Sequence, residues 1–241
     1  MNMLSRKAWH LALAASLAGP VLAMGQERPA ARNDTTSSAD RQAAAAERHV
    51  VQALGVVHTM EMDARMRSLL QAARGVFIVP SYGRAAVGIG ADGGAGLLLV
   101  RRDDKSWSPP VFYHTGGLSL GLQAGAQGGR LAFVLNNQKA VDAFLKKTSI
   151  SLNATAGLTI LNWSKMVQGS AGAGDVVAWS DTKGLFGDVA TVELNGVRYS
   201  QNLNNAYYRR NLSASDIIVG NPDQPQSELL VRTLESATTG Q

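Results

Sequence analysis

Ser119 lies in Gly117-Leu118-Ser119-Leu120-Gly121, the spacing that exposes a nucleophilic serine on a sharp strand-to-helix turn in serine hydrolases. That arrangement also needs a histidine base arriving later in the chain, and here the last histidine is His114. Ser119 sits between leucines in an alternating stretch, which places it mid-strand and not on a turn. A serine hydrolase built on Ser119 is therefore the weakest of the functional readings, and no catalytic residue is assigned. Gly88-Ile89-Gly90-Ala91-Asp92-Gly93 has the spacing of a dinucleotide-binding loop, which must open a helix whose N-terminus receives the phosphates. From Ala95 onward the residues read as another strand, so a glycine-rich hairpin accounts for the motif better. Metal chemistry finds equally little. Beyond the first 23 residues His49, His58 and His114 are the histidines, and there is neither a His-Glu-x-x-His motif nor any cysteine. Asp92, Asp103 and Asp104 lack the spacing of a calcium loop. No metal and no cofactor is expected.

The elements around these residues predict an α+β protein. Ala43, Ala46, Val50, Leu54 and Val57 recur at helical spacing, and a second stripe runs through Met62, Met66, Leu69, Leu70 and Ala73 to Gly75. The period then changes to two. Val76 to Val79 reads as a short strand ended by Pro80, and alternation follows from Ala85 to Ala91 and across Leu97 to Val100. The clearest alternation spans Gly117 to Gln127, with apolar side chains on one face and small or polar ones on the other. Ile150 to Ile160 repeats it. Leu131 to Leu135, Asp175 to Ser180 and Ala190 to Leu194 read as further strands; Gln138 to Lys147, Tyr199 to Arg210 and Pro225 to Leu234 read as helices. The sum is a curved, barrel-like antiparallel β-sheet flanked by N- and C-terminal helices.

Composition narrows the class. With 241 residues, 45% apolar and 17% charged, the chain has room for one sizeable core. Residues 1–23 carry Arg6 and Lys7, a short apolar run and Val21-Leu22-Ala23, the pattern of a secretory signal cut after Ala23. Residues 24–39 are polar and read as a flexible tail, and 40–237 as a single domain. The formal charge is +5; the signal's two cations, with no acid beside them, leave +3 for the remainder. That is far from a nucleic-acid footprint. Export without cysteine fits a bacterial periplasm or envelope, with surface display or secretion as later stages.

Several motifs resemble the SYLF-domain family, in family order. Arg74-Gly75-Val76-Phe77-Ile78-Val79-Pro80 comes first, then Gly93-Gly94-Ala95-Gly96-Leu97-Leu98-Leu99-Val100-Arg101 and Trp107-Ser108-Pro109-Pro110-Val111-Phe112-Tyr113. Gly116 to Gln127, Asn136-Asn137, Lys183-Gly184-Leu185-Phe186 and Asn204-Asn205-Ala206-Tyr207-Tyr208 complete the series. The resemblance implies a non-enzymatic lipid-binding module. Eukaryotic members bind phosphoinositides and other acidic phospholipids, some fungal members associate with actin, and many carry SH3 or FYVE modules. This chain resembles the stand-alone, exported bacterial form, with acidic phospholipids or a membrane surface as partner. The alternative is an envelope or host protein-interaction module. Candidate lipid contacts are Arg101, Arg102 and Lys105 beside Trp107, then Lys146 and Lys147 at a helix end, and Arg209 and Arg210 after Tyr207-Tyr208. Each surface cation contributes about 1 kcal/mol beside an anionic leaflet.

Overall fold

The computed structural model describes residues 37–83, 94–116, 118–119, 128–145, 149–154, 157–169, 174–182, 185–186 and 192–239, all within one compact unit, Thr36–Gln241. Helix α1 (Ser38–Glu61) starts where the Ser37 hydroxyl accepts from the Asp40 amide, and Asp40 sits in its positive first turn. Its buried residues Ala46, Val50, Ala53, Val57 and Met60 advance by four and three, so one stripe faces the core. The chain breaks at Met62-Asp63. There the Asp63 carboxylate caps α2 (Ala64–Ala72) by accepting from the Arg65 and Met66 amides.

Nine strands follow among the described residues: β1 (Gly75–Gly83), β2 (Gly94–Val100), β3 (Val111–Thr115), β4 (Leu118–Ser119), β5 (Gly128–Leu135), β6 (Ser149–Leu152), β7 (Ile160–Asn162), β8 (Val176–Ser180) and β9 (Glu193–Tyr199). Their order is β4-β9-β3-β2-β1-β5-β8-β7, with β6 also on β9, and the sheet curls into a nearly closed, barrel-like layer. The expected α+β architecture is present. One refinement concerns strand direction: every pair is antiparallel except β7–β8, which is parallel. The stretch from Ile150 to Ile160 is also not one strand. It divides into β6 and β7, which join opposite parts of the sheet, and Gly157 turns the chain between them with φ of 73°.

The remaining helices are α3 (Gln138–Leu145), α4 (Trp163–Val167), α5 (Gln201–Tyr208), α6 (Ala214–Gly220) and α7 (Pro225–Thr239). On one face of the sheet Phe77 packs its ring against Tyr113, Phe133 and the α3 residue Phe144, at centroid distances of 6.0, 6.3 and 4.9 Å. The Tyr113 hydroxyl donates to the Phe144 carbonyl, and burial pushes its pKa upward. Gly96 makes this cluster fit: a Cβ there would stand 2.3 Å from the Phe77 ring. Helices α1, α5 and α7 pack together and, with α2, form the second layer.

The expected alternation at 85–91 and most of that at 117–127 lie outside the described residues. Leu118 and Ser119, which are described, pair antiparallel with Leu194 and Glu193.

Candidate functional site

Arg101 and Arg102 leave the end of β2 and enter a tight turn closed by hydrogen bonds between Arg102 and Ser106 and from the Lys105 amide to the Arg102 carbonyl. Lys105 is exposed and left-handed, with φ of 69°. Both arginines are already engaged. Arg101 donates to the Gln71 carbonyl at the C-terminal end of α2, where a cation also suits the helix dipole. The Arg102 Nε donates to the Ser106 hydroxyl at 2.9 Å and its Nη2 to the Trp107 carbonyl at 3.3 Å. Asp104 lies 3.9 Å from Arg102, and bonds from the Ser106 hydroxyl and then its amide hold the Asp104 pKa below its ordinary value. With Asp103 adjoining, this turn carries little net charge.

Trp107 corrects the sequence reading. Expected as a surface aromatic beside the cations, it is 1% exposed, and its indole N–H donates to Thr238 of α7 at 3.2 Å. An indole N–H needs a partner when buried, and α7 supplies one, so the ring belongs to the core. The tyrosines preceding the second cluster also turn inward. Tyr207 packs edge-on against Phe112 at 5.0 Å, and the Tyr208 hydroxyl donates to the Pro110 carbonyl at 2.6 Å. Burial raises both tyrosine pKa values, that of Tyr207 to about 12.

Those inward tyrosines anchor α5 and leave the next two residues outside. Arg209 caps the helix in left-handed backbone with φ of 51°, and it and Arg210 are exposed. Neither has an ion pair or hydrogen bond among the described residues. They border a cleft of about 380 Å³ lined also by Ala39, Asp40, Ala43 and Asn205. On its other side Arg210 shares a cleft of about 530 Å³ with Leu212, Asp216 and Val219, and Val219 is 81% exposed. Asp40 and Asp216 are committed to helix caps, through Ser37 and Ser213. The corner therefore offers two unengaged guanidinium groups beside an exposed apolar side chain. No hydrogen bond or ion pair joins this corner to the Arg101 turn among the described residues. Lys146 and Lys147 lie outside those residues.

A third cleft, of about 570 Å³, has no counterpart in the sequence reading. Arg48, His49 and Gln52 of α1 line one side, and Ser81, Gly94, Ala95, His114, Thr115 and Leu203 complete it. His114 Nε2 and the Ser200 hydroxyl are 2.7 Å apart. That contact has the geometry of a base and a nucleophile, but Ser200 is 1% exposed at the start of α5, so the bond fixes the imidazole in place and no substrate reaches the hydroxyl. Burial lowers the pKa of both histidines; for His49 the neighbouring Arg48 charge adds to the effect. His49 on α1 and His114 on β3 are 65 positions apart, so no local sequence signal shows that helix and sheet bring them to one cleft.

Ser119 lies in a paired strand and not at a strand-to-helix turn, which removes the backbone geometry its motif would require. Among the described residues no three His, Cys, Asp or Glu side chains converge as metal ligands, and no helix is long and apolar enough to cross a membrane.

A family model described as Ysc84, Las17-binding protein actin regulator, matches residues 116–237. LAS seventeen-binding protein 3 of Saccharomyces cerevisiae is 30% identical over 174 residues, which cover 70% of this chain and 38% of that protein. The SH3 domain-containing YSC84-like protein 1 of Homo sapiens is 28% identical over 170 residues, covering 69% and 49%. The SH3 domain-containing protein PJ696.02 of Schizosaccharomyces pombe is 30% identical over 149 residues, covering 59% and 34%. The chain thus spans between a third and a half of the length of these relatives.

Proposed function

The chain belongs to the Ysc84 family, whose motifs are those of the SYLF domain, and from that premise we propose that it is a non-enzymatic module binding acidic phospholipids at a membrane surface. The observation that carries this reading is the Arg209–Arg210 corner. Two exposed cations without an internal partner stand beside exposed Val219, so lipid phosphates and the upper acyl region are both within reach of one surface. Guanidinium groups pair with phosphate through charge-assisted bonds, and two of them supply about 2 kcal/mol, or roughly 30-fold in binding. The Arg101 turn contributes less, because its two arginines already hold the turn and the end of α2. The same reading places the protein in a bacterial envelope, exported by residues 1–23 and acting from the periplasm or a later extracellular site.

Co-sedimentation with zwitterionic and anionic vesicles, at about 0.1 M and about 1 M salt, tests it. The protein should prefer anionic vesicles, lose most of that preference in high salt, and lose at least about 30-fold in affinity when Arg209 and Arg210 are both changed to Glu. Charge reversal at Arg101, Arg102 and Lys105, and at Lys146 and Lys147, runs in parallel. Binding insensitive to salt and to all three reversals would sink the electrostatic reading. Docking to a protein is the second reading. It is favoured by a relative named for binding Las17 and by Val51, Met62 and Leu229, which are 68%, 75% and 61% exposed on α1, its end and α7.

A further inference from the structure

We infer that the cleft between α1 and the β2–β3 pair is a binding site for a phosphomonoester of glycerol or sugar size, held by Arg48, His49 and His114. This site is separate from the Arg209–Arg210 corner and does not depend on the vesicle reading.

Charge is the first argument. Three of the nine lining residues are basic and none is acidic. Arg48 is exposed and has no hydrogen bond or ion pair among the described residues, so its guanidinium is available to a ligand. The adjacent acid, Glu47, exerts its field on Tyr207 of α5. Arg198 of β9 pairs directly with His114 across the sheet and therefore shares its face, adding a cation beyond the lining. From α5 the approach to His114 is the neutral Ser200 hydroxyl, from β2 it is Ala95, and from β1 it is Ser81.

The histidines are the second argument. His49 lines the cleft with Gln52 beside its ring, and its Nδ1 is shut off from solvent without a hydrogen-bond partner, so that nitrogen meets a ligand only when the ring turns toward the cleft. His114 is held at Nε2 by Ser200, and protonation leaves N–H at Nδ1 as its second donor. Size and lining complete the case. The cleft of about 570 Å³ lies in the usual range for small-molecule sites and exceeds what a bare phosphate fills, and Leu203 and Ala95 give the ligand's body an apolar wall. The Gln52 side chain is engaged with His49, and the Thr115 hydroxyl is already given to the Gly94 carbonyl.

Burial keeps both rings neutral in the empty site at neutral pH, because it lowers their pKa below the ordinary 6.5. An arriving dianion favours the charged rings. The bound anion raises both pKa values, so affinity must rise as pH falls below those ligand-bound values and level off below the lower, empty-site ones.

The test uses the full chain, with sulfate first because its charge is constant over the range of histidine titration. Imidazole nitrogen and proton NMR signals are followed through titrations at about pH 5.5 and about pH 8. Sulfate and glycerol phosphate should shift the His49 and His114 signals at the lower pH, with affinity at least about tenfold weaker at the higher one. Arg48→Ala and His114→Gln, which keeps a polar group for Ser200, should each weaken binding about fivefold or more. Arg232→Ala, which removes an exposed cation paired with Glu228, should change nothing. Competition by vesicles containing phosphatidic acid would assign the phosphate to a lipid head group; glycerol phosphate binding without such competition would assign it to a soluble metabolite. Histidine signals unmoved by both anions, or shifts independent of pH and of both variants, would overturn the inference.

Discussion

Arg209 illustrates how much a residue's type says and how little it says of its engagement. As sequence, Arg209-Arg210 was one of three comparable basic clusters; in the fold it is the described cluster without internal partners, while Arg101 and Arg102 are bonded into a turn. The aromatic neighbours misled for a related reason. Trp107 and Tyr208 each have an apolar body with a polar tip, a combination that suits a membrane interface and equally suits a core that offers a carbonyl or hydroxyl to the tip. Sequence does not reveal whether such an acceptor exists: for Trp107 it is Thr238, 131 positions away. Arg209 also adopts a left-handed φ of 51°, which a β-carbon disfavours. Arg209→Gly should therefore raise unfolding free energy by up to about 1 kcal/mol while removing one vesicle-binding cation. Urea denaturation and vesicle co-sedimentation on the same sample check both halves. A variant that binds less because it folds less would show the stability change with the opposite sign.

Elements were legible wherever their periodicity was local. The α1 stripe follows from it, β8 is matched to within one residue, and β2 and β5 end where expected but each begin three residues earlier, at Gly94 and Gly128. Pro80 marks an end to β1 in the sequence, yet the strand continues to Gly83 by breaking register between Val79 and Tyr82, which accommodates a residue that cannot donate to the ladder. Helix α6 gave no hydrophobic stripe long enough to see; it is seven residues held by a capping box between Ser213 and Asp216. The seam between α5 and β3 was also hidden, although its residue was among the recognised motifs. Asn204 is fully buried; its Oδ1 accepts from the Phe112 amide at 3.0 Å, and its Nδ2 donates to the carbonyls of Phe112 and Ser200 at 2.8 and 2.9 Å. One side chain thus stands in for a neighbouring strand at Phe112. Asn204→Ala strands the Phe112 amide without a partner and should cost about 2–3 kcal/mol in urea unfolding. Asn204→Asp should be worse, because it removes the donors and buries a carboxylate. A loss below about 1 kcal/mol for the alanine variant would mean that water or a shifted α5 replaces the amide.

At the scale of the molecule the two ends of the described chain meet on one layer. Helix α7 packs against both α1 and α2, and its residue Thr238 receives the buried indole of Trp107. The sequence indicated terminal helices but not that they close over the same side of the sheet, since helical periodicity fixes which face is apolar and not what covers it. Leu230 and Leu234 are 1% and 0% exposed, and each buried leucine is worth about 1.5–3 kcal/mol. Removing α7 would also uncover its partners on α1 and α2 and leave the Trp107 N–H unpaired. Together these losses approach the whole stability of an ordinary domain, about 5–15 kcal/mol. A chain ending before Pro225 should therefore lose cooperative unfolding altogether instead of behaving as a slightly weaker domain. In the intact protein, tryptophan fluorescence and far-UV circular dichroism should report the same urea midpoint, because Trp107, Trp163 and Trp179 belong to the same core cluster as the α1 and α7 residues. Separate midpoints for the two probes, or a cooperative transition surviving in the shortened chain, would show that the sheet folds independently and that α7 is an added cover.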